Sequence, residues 1–513
     1  MVRVGYGLAF DPIATFKVTA VSGSVPGLIT TCTSTLTNTA PFHTTNPGCA
    51  PAPNLRLGEG FPQQLAAPTT RPSSFLRLPL QFFTNSPNLV MFDPNIKLPT
   101  VHQWSLSFQR ELAGGFVGQI AYIGRRGTRL FRSYDINQIN ADPVLPSFLT
   151  MRDNVNRGCT AMGTGCPAGV TGTTPTLHGQ LVAGGLTTAA ATTFINSAGV
   201  RTELLRNGAG AFAELIENNS LALKLRPNQQ FARITYIDSG GNSEYHGAQL
   251  TLRRRFSQGL GLNLAYTFAK SMDDGSLDPV GAASGGNLST TTSRAAVDIR
   301  NYRQEWARSD FDRRHVFNVA SVWDLPFGKG QRFLNRSSGI AQHILGDWSI
   351  NTIFTATSGE PFSVTSGVRT SNNAHVSRAD VIAPVQATIQ ELPGIPGPVY
   401  FPNNSAFRIP APGTNGAGRN LFTAAAFWNV DFGFVKMINF NERFRLQFRT
   451  EMFNALNHPN FDNPRDATVG SPSMLSAVFG QACCATVSPP STQTIIQTGE
   501  SGRVIQFALK LQF

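Results

Sequence analysis

The feature that most constrains this chain is a two-residue alternation of polar and apolar side chains, repeated along its length. Between Arg443 and Glu451 the odd positions are polar, whereas Phe444, Leu446 and Phe448 are apolar. Because successive side chains of a β-strand point to opposite faces of a sheet, this pattern predicts strands with one wet and one apolar face. The pattern predicts strands at 2–10, 101–112, 115–125, 244–257, 259–270, 314–325, 347–357, 427–438, 442–454 and 503–513.

The length of these segments favours a membrane over water. Strands of soluble sheets have about 5 to 6 residues, whereas a tilted strand needs about 9 to 11 residues to cross a bilayer. The turns after 112, 257 and 438 are short, and long connections alternate with them, at 11–100, 126–243, 271–313, 358–426 and 455–502. Short turns at one end and long loops at the other are typical of outer-membrane barrels with extracellular loops. The sequence therefore predicts an all-β, transmembrane antiparallel β-barrel of this type.

Two segments fit this scheme less simply. Segment 229–238 also alternates, but an eleventh strand would break the up-and-down order, so we assign it to an external loop. Segment 326–346 is a connection of medium length on the side of the short turns.

Composition excludes several classes of protein. No run approaches the ~18 apolar residues of a membrane-spanning helix, so a helical membrane protein is excluded. The 37 Phe residues are too many for a disordered chain. The formal net charge is +12, but the Arg residues are spread along the chain rather than clustered, so we expect no nucleic-acid partner.

The six cysteines fall into three close groups within segments rich in Gly, Pro, Ser or Thr. These groups are Cys32 with Cys49, Cys159 with Cys166, and Cys483 with Cys484. None has the C-x-x-C spacing of a metal site, so we expect disulfides in loops on an oxidising side of a membrane. The sequence does not fix their pairing.

No catalytic, cofactor or metal site is predicted, and the chain is not expected to be an enzyme. Carboxylates at Asp273, Asp274, Asp298, Asp310 and Asp312 are interpreted as solvated loop residues. The segment 312–315 is predicted to form ion pairs at the external rim. His458 is interpreted as part of a strand-to-loop exit.

The last predicted strand is amphipathic and ends in a terminal aromatic residue, Phe513. Its apolar face carries Phe507, Leu509, Leu511 and Phe513. This arrangement resembles the assembly signal of bacterial outer-membrane barrels, which predicts the barrel assembly machinery as a partner. The alternative is an edge strand that happens to end there.

Several stretches together are similar to the β-barrel part of the Oar-like family of TonB-dependent outer-membrane receptors. The similarity spans about 100 to 513 and is carried by segments 99–107, 124–130, 243–250, 265–274, 312–315, 325–330, 445–461 and the closing strand. The resemblance implies a location in the cell outer membrane, contact with its lipid, a barrel closed by an internal plug domain, and import energised by the TonB complex.

The chain also departs from that family, because residue 1 already lies in a strand. Receptors of this kind have a signal peptide, a TonB box and a plug before the barrel. We therefore expect 1–513 to be the C-terminal portion of such a barrel, incomplete, with about ten of a presumed 22 strands. The alternative is a small ten-stranded barrel that closes on itself; unpaired edges in lipid exclude a stable half barrel.

The polar faces of the strands would line the lumen. The predicted lumen-facing residues are Arg253, Arg255, Asn263, Arg443, Arg445, Arg449 and Glu451. An Arg or Lys on the lipid side would cost about 2 to 4 kcal/mol at the midplane of the bilayer, which enforces this orientation. Two roles remain open for these residues: ion pairs with carboxylates of a plug, or selection of an anionic substrate.

These patterns and the resemblance predict a receptor-transporter for TonB-dependent uptake of a bulky nutrient. The first alternative is an adhesive or structural surface barrel without transport activity, whose long Thr-rich loops bind cells or matrix. The second is a secreted soluble β-protein. The substrate cannot be read from the sequence, because specificity would lie in the loops.

Overall fold

A computed structural model of the chain describes residues 1–12, 88–219, 223, 225–229, 231–276, 296–336, 339–395, 397–440, 444–464, 472–482 and 502–513. In chain order the strands of these residues are β1 (Val2–Phe10), β2 (Asn88–Phe92), β3 (Thr100–Leu112), β4 (Phe116–Asp135), β5 (Arg233–Ser257), β6 (Leu260–Asp273), β7 (Ala307–Arg308), β8 (His315–Asp324), β9 (Trp348–Thr357), β10 (Pro361–Phe362), β11 (Asp380–Val381), β12 (Phe407–Arg408), β13 (Phe422–Thr423), β14 (Phe427–Asn439), β15 (Arg445–Phe453) and β16 (Val504–Gln512).

The helices are short and lie in the connections between strands. They are α1 (Leu145–Asn156), α2 (Thr176–Ala183), α3 (Thr188–Ile195), α4 (Ala198–Leu205), α5 (Ala209–Asn219) and α6 (Gly339–Leu345). Two 3-10 helices cover Ala113–Gly115 and Ile299–Glu305. In the described part of the chain, no helix has the length and apolar character needed to cross a membrane.

One large sheet organises the molecule. Its main strands lie in the order β1-β3-β4-β5-β6-β8-β9-β14-β15-β16, and each neighbouring pair along this path is antiparallel. All ten strands predicted from the alternation are therefore confirmed. The sheet is open, because β1 and β16 lie at its two edges, and β2 and β7 pair beside this path with β5 and β6.

The register gives this sheet two chemically different faces. Phe448 lies opposite Leu509, whereas the adjacent Arg449 lies opposite Ala508, so the alternation stays in phase from strand to strand. We call the faces that carry Phe448 and Arg449 the apolar face and the polar face. Side chains of the apolar face are not packed into a core: Ile120 is 61% exposed and Phe507 is 70% exposed. Such a surface is stable only when something apolar covers it.

The short turns lie at one end of the sheet, which we call the turn end. At the β5–β6 turn Gln258 and Gly259 have φ values of 51° and 76°, the two positive values that a two-residue hairpin turn requires. Gly114 and Gly115 have φ values of 75° and 74° at the β3–β4 turn. The long connections lie at the opposite end, the loop end.

The structure corrects the assignment of 229–238 to a loop. Arg233–Asp238 is the first part of β5, which runs on without a break to Ser257. The up-and-down order is preserved because this segment lengthens a strand instead of adding one. Its partner β4 is longer than predicted in the same direction and ends at Asp135, opposite Thr235.

The connection between β4 and β5 is a helical unit, although its sequence predicted a loop. Helices α1 to α5 enclose a core whose fully buried members include Phe148, Met151, Leu181 and Phe212. Cys159 and Cys166 form a disulfide in this unit, which confirms a disulfide in one of the three predicted groups. Cys32, Cys49, Cys483 and Cys484 lie outside the described residues.

A second core lies at the loop end, between the connections that follow β9 and β15. Phe401 is at its centre, with ring centroids 5.2 Å from Phe407 and 5.3 Å from Phe422. The two short ladders β10–β13 and β11–β12 both lie within the connection after β9. Single bridges between Thr365 and Ser473 and between Val399 and Gln481 join it to the connection after β15. Within the described residues, the two apolar clusters of buried side chains therefore lie in connections between main strands.

Candidate functional site

The polar face carries predicted lumen-facing side chains near the turn end. Arg253 of β5 lies opposite Asn263 of β6, and both side chains are exposed. Arg255 is also exposed and lies beside the register shift that ends β5. All three are close to the β5–β6 turn at Gln258.

A second predicted group lies on the polar face of β15: Arg445, Arg449 and Glu451. Arg445 and Arg449 are exposed, and Arg449 Nε donates to Gln447 Oε1 at 3.0 Å. Glu451 accepts a hydrogen bond from the side chain of Gln506 in β16. Arg443 lies outside the described residues.

The structure does not bring these two groups into one site. Strands β8, β9 and β14 separate β6 from β15 in the sheet. The groups share a face, and Arg253 and Arg445 both lie near the turn end. Together they form a charged lining spread over the polar face of the sheet, and they do not form a compact binding site.

The closing strand presents the residues of the predicted assembly signal on the apolar face. Phe507, Leu509, Leu511 and Phe513 are all strongly exposed, and the terminal Phe513 is the most exposed of the four, at 92%. Ring stacking joins Phe507 to Phe448 of β15, with centroids 6.3 Å apart.

Buried ion pairs lie at the loop end, where the sequence predicted solvated carboxylates. Arg419 forms ion pairs with Asp273 and, at 3.1 Å, with Asp310, and it donates to the backbone carbonyl of Glu305 at 3.1 Å. Arg378 pairs with the side chain of Glu305. We call these five residues the loop-end ion cluster. The side chains of Arg378 and Arg419 are only 1% exposed.

The cluster keeps its charges because they are paired. Burial opposes the charge on Arg419, but Asp310 and Asp273 outweigh it, and the pKa of the guanidinium lies above its ordinary value. An unpaired charge at this depth would be strongly destabilising. The cluster therefore acts as a structural clasp that holds the connection after β9 to the connection after β6.

The solvated-loop interpretation is wrong for four of the predicted carboxylates: Asp273, Asp298, Asp310 and Asp312 are between 2% and 7% exposed. For Asp273 and Asp310 the partner that buries them is an arginine far along the chain, which a local pattern does not reveal. Asp274 is half-buried and accepts a hydrogen bond from the backbone of Asn242 at 3.0 Å.

The predicted ion pairs of segment 312–315 are confirmed. Asp312 pairs with Arg308 at 2.8 Å and Arg313 pairs with Glu360 at 2.7 Å. His458, interpreted as part of a strand-to-loop exit, packs its ring against Trp428, with ring centroids 3.8 Å apart and the planes tilted by 30°.

A cavity of about 420 Å³ lies at the loop end between the β4–β5 extension and the Ile299–Glu305 helix. Its lining combines basic and aromatic side chains with two carboxylates: Arg126, Arg132, Tyr302, Arg303, Trp306, Glu244 and Asp274. Arg132 forms an ion pair with Asp238 at 2.8 Å, and its guanidinium lies 4.1 Å from the centre of the Tyr302 ring. Sequence reasoning missed this cavity; its one signal is the mixture of Arg, Tyr and Trp at 300–306.

The chemistry of this cavity suits binding. Guanidinium groups bind anionic groups by paired hydrogen bonds, and exposed aromatic rings stack on flat apolar surfaces. Burial raises the pKa of the Tyr302 hydroxyl above its ordinary value, so this group stays protonated. Within the described ranges, no group of three or more His, Cys, Asp or Glu residues is placed to hold a metal ion.

A comparison with family models matches residues 1–506 to the outer membrane beta barrel domain. No curated protein matches the sequence.

Two solved structures are among the chains that match the fold. The outer membrane transporter YddB from Escherichia coli is 7% identical, with a TM-score of 0.33; the match covers 83% of this chain and 34% of that one. The toluene transporter TodX of Pseudomonas putida is 8% identical, with a TM-score of 0.19, and the match covers 69% and 59%. The present chain thus spans about a third of the length of the YddB structure. Because both scores are low, the family model alone carries the assignment.

Proposed function

Because the chain belongs to the outer membrane beta barrel domain family and lies in the outer membrane, we propose that it forms the C-terminal portion of a TonB-dependent receptor barrel. In this proposal the receptor is of the Oar-like kind and imports a bulky nutrient. Its other partners are a plug domain, the TonB complex and the barrel assembly machinery, which would bind the closing strand.

The observation that carries this proposal is the open, ten-stranded antiparallel sheet, whose longest connections lie at one end while the opposite end has the short turns and the medium connection between β8 and β9. Rows of backbone groups left unpaired in hydrocarbon would cost several kcal/mol per group, so β1 and β16 need partner strands beside them. Barrels that enclose a plug have 22 strands, and ten strands are close to half of that number. A wide barrel that encloses a plug domain therefore fits this sheet better than a small barrel whose interior is filled by side chains.

The charged lining supports a plug as a partner. Arg253 and Arg445 lie on the polar face near the turn end, away from the loop end where an external ligand would first arrive. Of the two roles left open by the sequence, ion pairs with plug carboxylates therefore fit better than selection of an anionic substrate. The cavity at the loop end is the better candidate for contact with a ligand.

Transport can be tested without knowing the substrate. Depletion of compounds from a complex medium is compared between the parent strain, a strain without this gene and a strain without TonB. We expect the same group of large compounds to remain in the medium of both mutants. Overlap of the two groups would support energised import; normal depletion by the gene-deletion strain would contradict it.

A variant then links the defect to the polar face. Replacing Arg445 and Arg449 with Gln should reduce depletion of the same compounds while the amount of assembled protein stays constant. The matched control is Ser321→Gln, an uncharged change on the apolar face of β8. If the Arg variant depletes these compounds as fast as the wild type, Arg445 and Arg449 have no role in import.

One observation favours the adhesive alternative. Helices α1 to α5 form a unit with its own buried core at the loop end, as a binding module would. If adhesion is the function, the gene-deletion strain should deplete the medium normally and attach less to surfaces or to other cells. The same pair of strains therefore separates the two functions.

A further inference from the structure

Three hydrogen-bonded Tyr–His pairs repeat across the apolar face near the loop end. In each pair the tyrosine oxygen is 2.7 or 2.8 Å from Nδ1 of a histidine on the neighbouring strand of the sheet. The pairs are Tyr6 with His102, Tyr122 with His246, and Tyr266 with His315. We call them the Tyr–His belt.

The belt is staggered in a way that matches strands tilted in a membrane. His246 lies opposite Gly124, which lies opposite Trp104, so His246 is two residues nearer to the turn end than His102. Ala248 lies opposite Phe268, which lies opposite His315, so His315 is two residues nearer to the turn end than His246. From one histidine to the next, the position shifts by two residues of about 3.3 Å along the strands and by two strand spacings of about 4.8 Å across them. The line through the histidines is therefore inclined by about 35° to the direction perpendicular to the strands.

Strands of outer-membrane barrels are tilted by about 35 to 45°, so this slope puts the three histidines at one depth in the bilayer. A fourth aromatic pair continues the line. Trp428 of β14 lies opposite Ala356, which lies opposite Phe317, again two residues beyond His315. The ring of His458 lies against this Trp428, tilted by 30°.

Cationic side chains lie immediately on the loop side of the belt. Arg126 and Lys270 are the cross-strand partners of two of the histidines and lie on the same face. Arg314 places its guanidinium 5.7 Å from the centre of the Phe268 ring. Glu244 lies 4.0 Å from Arg126, but with both side chains largely exposed this pair is weak.

Each pair has one tautomer that presents a donor directed away from the tyrosine. When the tyrosine hydroxyl donates to Nδ1, the imidazole proton sits on Nε2, and this N–H can donate to an anion. Arg126 also lines the loop-end cavity with Arg303 and Trp306, so the cations of the belt and of the cavity adjoin.

We propose that the Tyr–His belt, with Arg126 and Lys270, binds the phosphate groups of glycolipids in the outer leaflet of the membrane. The loop end faces outward in barrels of this type. Below the belt the same face exposes apolar side chains, such as Phe108 and Ile120, where acyl chains would lie. A lipid with phosphates at the water boundary and sugar above them matches belt, apolar face and cavity together.

The test uses the full-length protein extracted from outer membranes, delipidated and placed in nanodiscs of phosphatidylcholine. Bound lipid A is measured by native mass spectrometry, with dephosphorylated lipid A and inorganic phosphate as the other probes. The wild type should bind lipid A, bind the dephosphorylated form at least about tenfold more weakly, and keep its lipid in the presence of inorganic phosphate.

Replacing Arg126 and Lys270 with Gln should weaken binding of lipid A by about tenfold or more. The matched control is Arg110→Gln with Arg254→Gln, two cations of the apolar face that lie near the turn end. Both variants change exposed or partly exposed side chains, and their assembly is checked by the heat-dependent mobility of the protein on gels. Lys270→Gln alone should give an intermediate affinity.

Three results would overturn the proposal. Equal binding of phosphorylated and dephosphorylated lipid A would reduce the belt to an aromatic anchor. Equal loss in the turn-end control would make the effect one of general charge. Complete displacement by inorganic phosphate would make the site one for a soluble anion.

Discussion

At the scale of single residues, close contacts across strands place the large side chains of the sheet. Trp104 lies against Gly124 on the neighbouring strand, and a Cβ atom added there would be 2.2 Å from the indole Nε1. A glycine at this position makes room for the ring. Tyr245 makes a comparable contact along its own strand, because a Cβ atom added at Gly247 of β5 would be 2.6 Å from its hydroxyl oxygen.

The first prediction concerns the contact between Trp104 and Gly124. Gly124→Ala should lower the free energy of unfolding by about 1 to 3 kcal/mol, because the indole must leave its place. Gly433→Ala is the control, since its Cβ would meet Asn351 at an ordinary 3.4 Å. Urea unfolding of the membrane-assembled protein, followed by tryptophan fluorescence, gives the measurement. Equal stability of the two variants would show that the ring does not depend on the glycine.

A buried carboxyl in the helical unit leads to a second prediction. Burial raises the pKa of Glu217 to about 7, against the opposing charge of Arg226. A carboxyl whose pKa is higher in the folded state binds its proton more tightly there. The unit should therefore lose stability, by about 3 kcal/mol, as the pH rises from about 4.5 to about 7.

Glu217→Gln should remove most of this dependence. The measurement is hydrogen exchange of the α5 amides across this pH range, corrected for the intrinsic exchange rate. A variant with the same pH dependence as the wild type would assign it to other groups.

At the scale of elements, each strand separates two environments along a single backbone. Thr352 in the middle of β9 lies on the apolar face, opposite Ser321 and Phe432. The next residue, Ile353, lies on the polar face opposite Asp431. Two adjacent positions therefore lie on the apolar face and the polar face at the same depth.

The third prediction uses this pair. Thr352→Arg should destabilise the assembled protein by about 2 to 4 kcal/mol, because a guanidinium near the midplane would face hydrocarbon. Ile353→Arg should have little effect, since it would face water and Asp431. Unfolding in lipid and gel mobility without heating measure the difference. If Ile353→Arg were the more destabilising change, the assignment of the apolar face to lipid would be wrong.

At the scale of the whole molecule, the sheet and the loop end are stabilised differently. The sheet exposes apolar side chains on one face and depends on lipid to cover them. The loop end has its own buried cores and the loop-end ion cluster, so it is built like a soluble domain. Loss of the cluster should therefore loosen the loop end and leave the strands in place.

The fourth prediction tests that division. Arg419→Ala should lower the stability of the loop end by about 3 to 5 kcal/mol, because it removes the guanidinium that balances the buried charges of Asp273 and Asp310. Arg408→Ala removes an ion pair with Asp380 in which the arginine is 65% exposed, and should cost about 0 to 1 kcal/mol. Chymotrypsin cleavage of the connections, with gel mobility as the measure of the sheet, distinguishes them. Equal cleavage of both variants would contradict the clasp.

The alternation predicted the strands because it is a local signal that each segment carries by itself. Helices α1 to α5 were not predicted, since each is short and its apolar residues become meaningful only when the five pack together. The burial of Asp273 was missed because its partner Arg419 lies 146 positions away. The cavity depends on segments 126–132 and 302–306, which only the fold brings together.

The loop-end ion cluster also bears on the order in which the protein is assembled. Main strands that are adjacent in the sheet follow one another along the chain, so each new strand can dock beside the previous one at a small loss of entropy. The Arg419–Asp273 contact must wait until β8 and β9 have been laid down, because both strands lie between its two partners in the chain. The contacts of the loop end are thus completed late. A chain whose assembly stops before that point would have an incomplete sheet and an unfolded loop end that surface proteases can cleave.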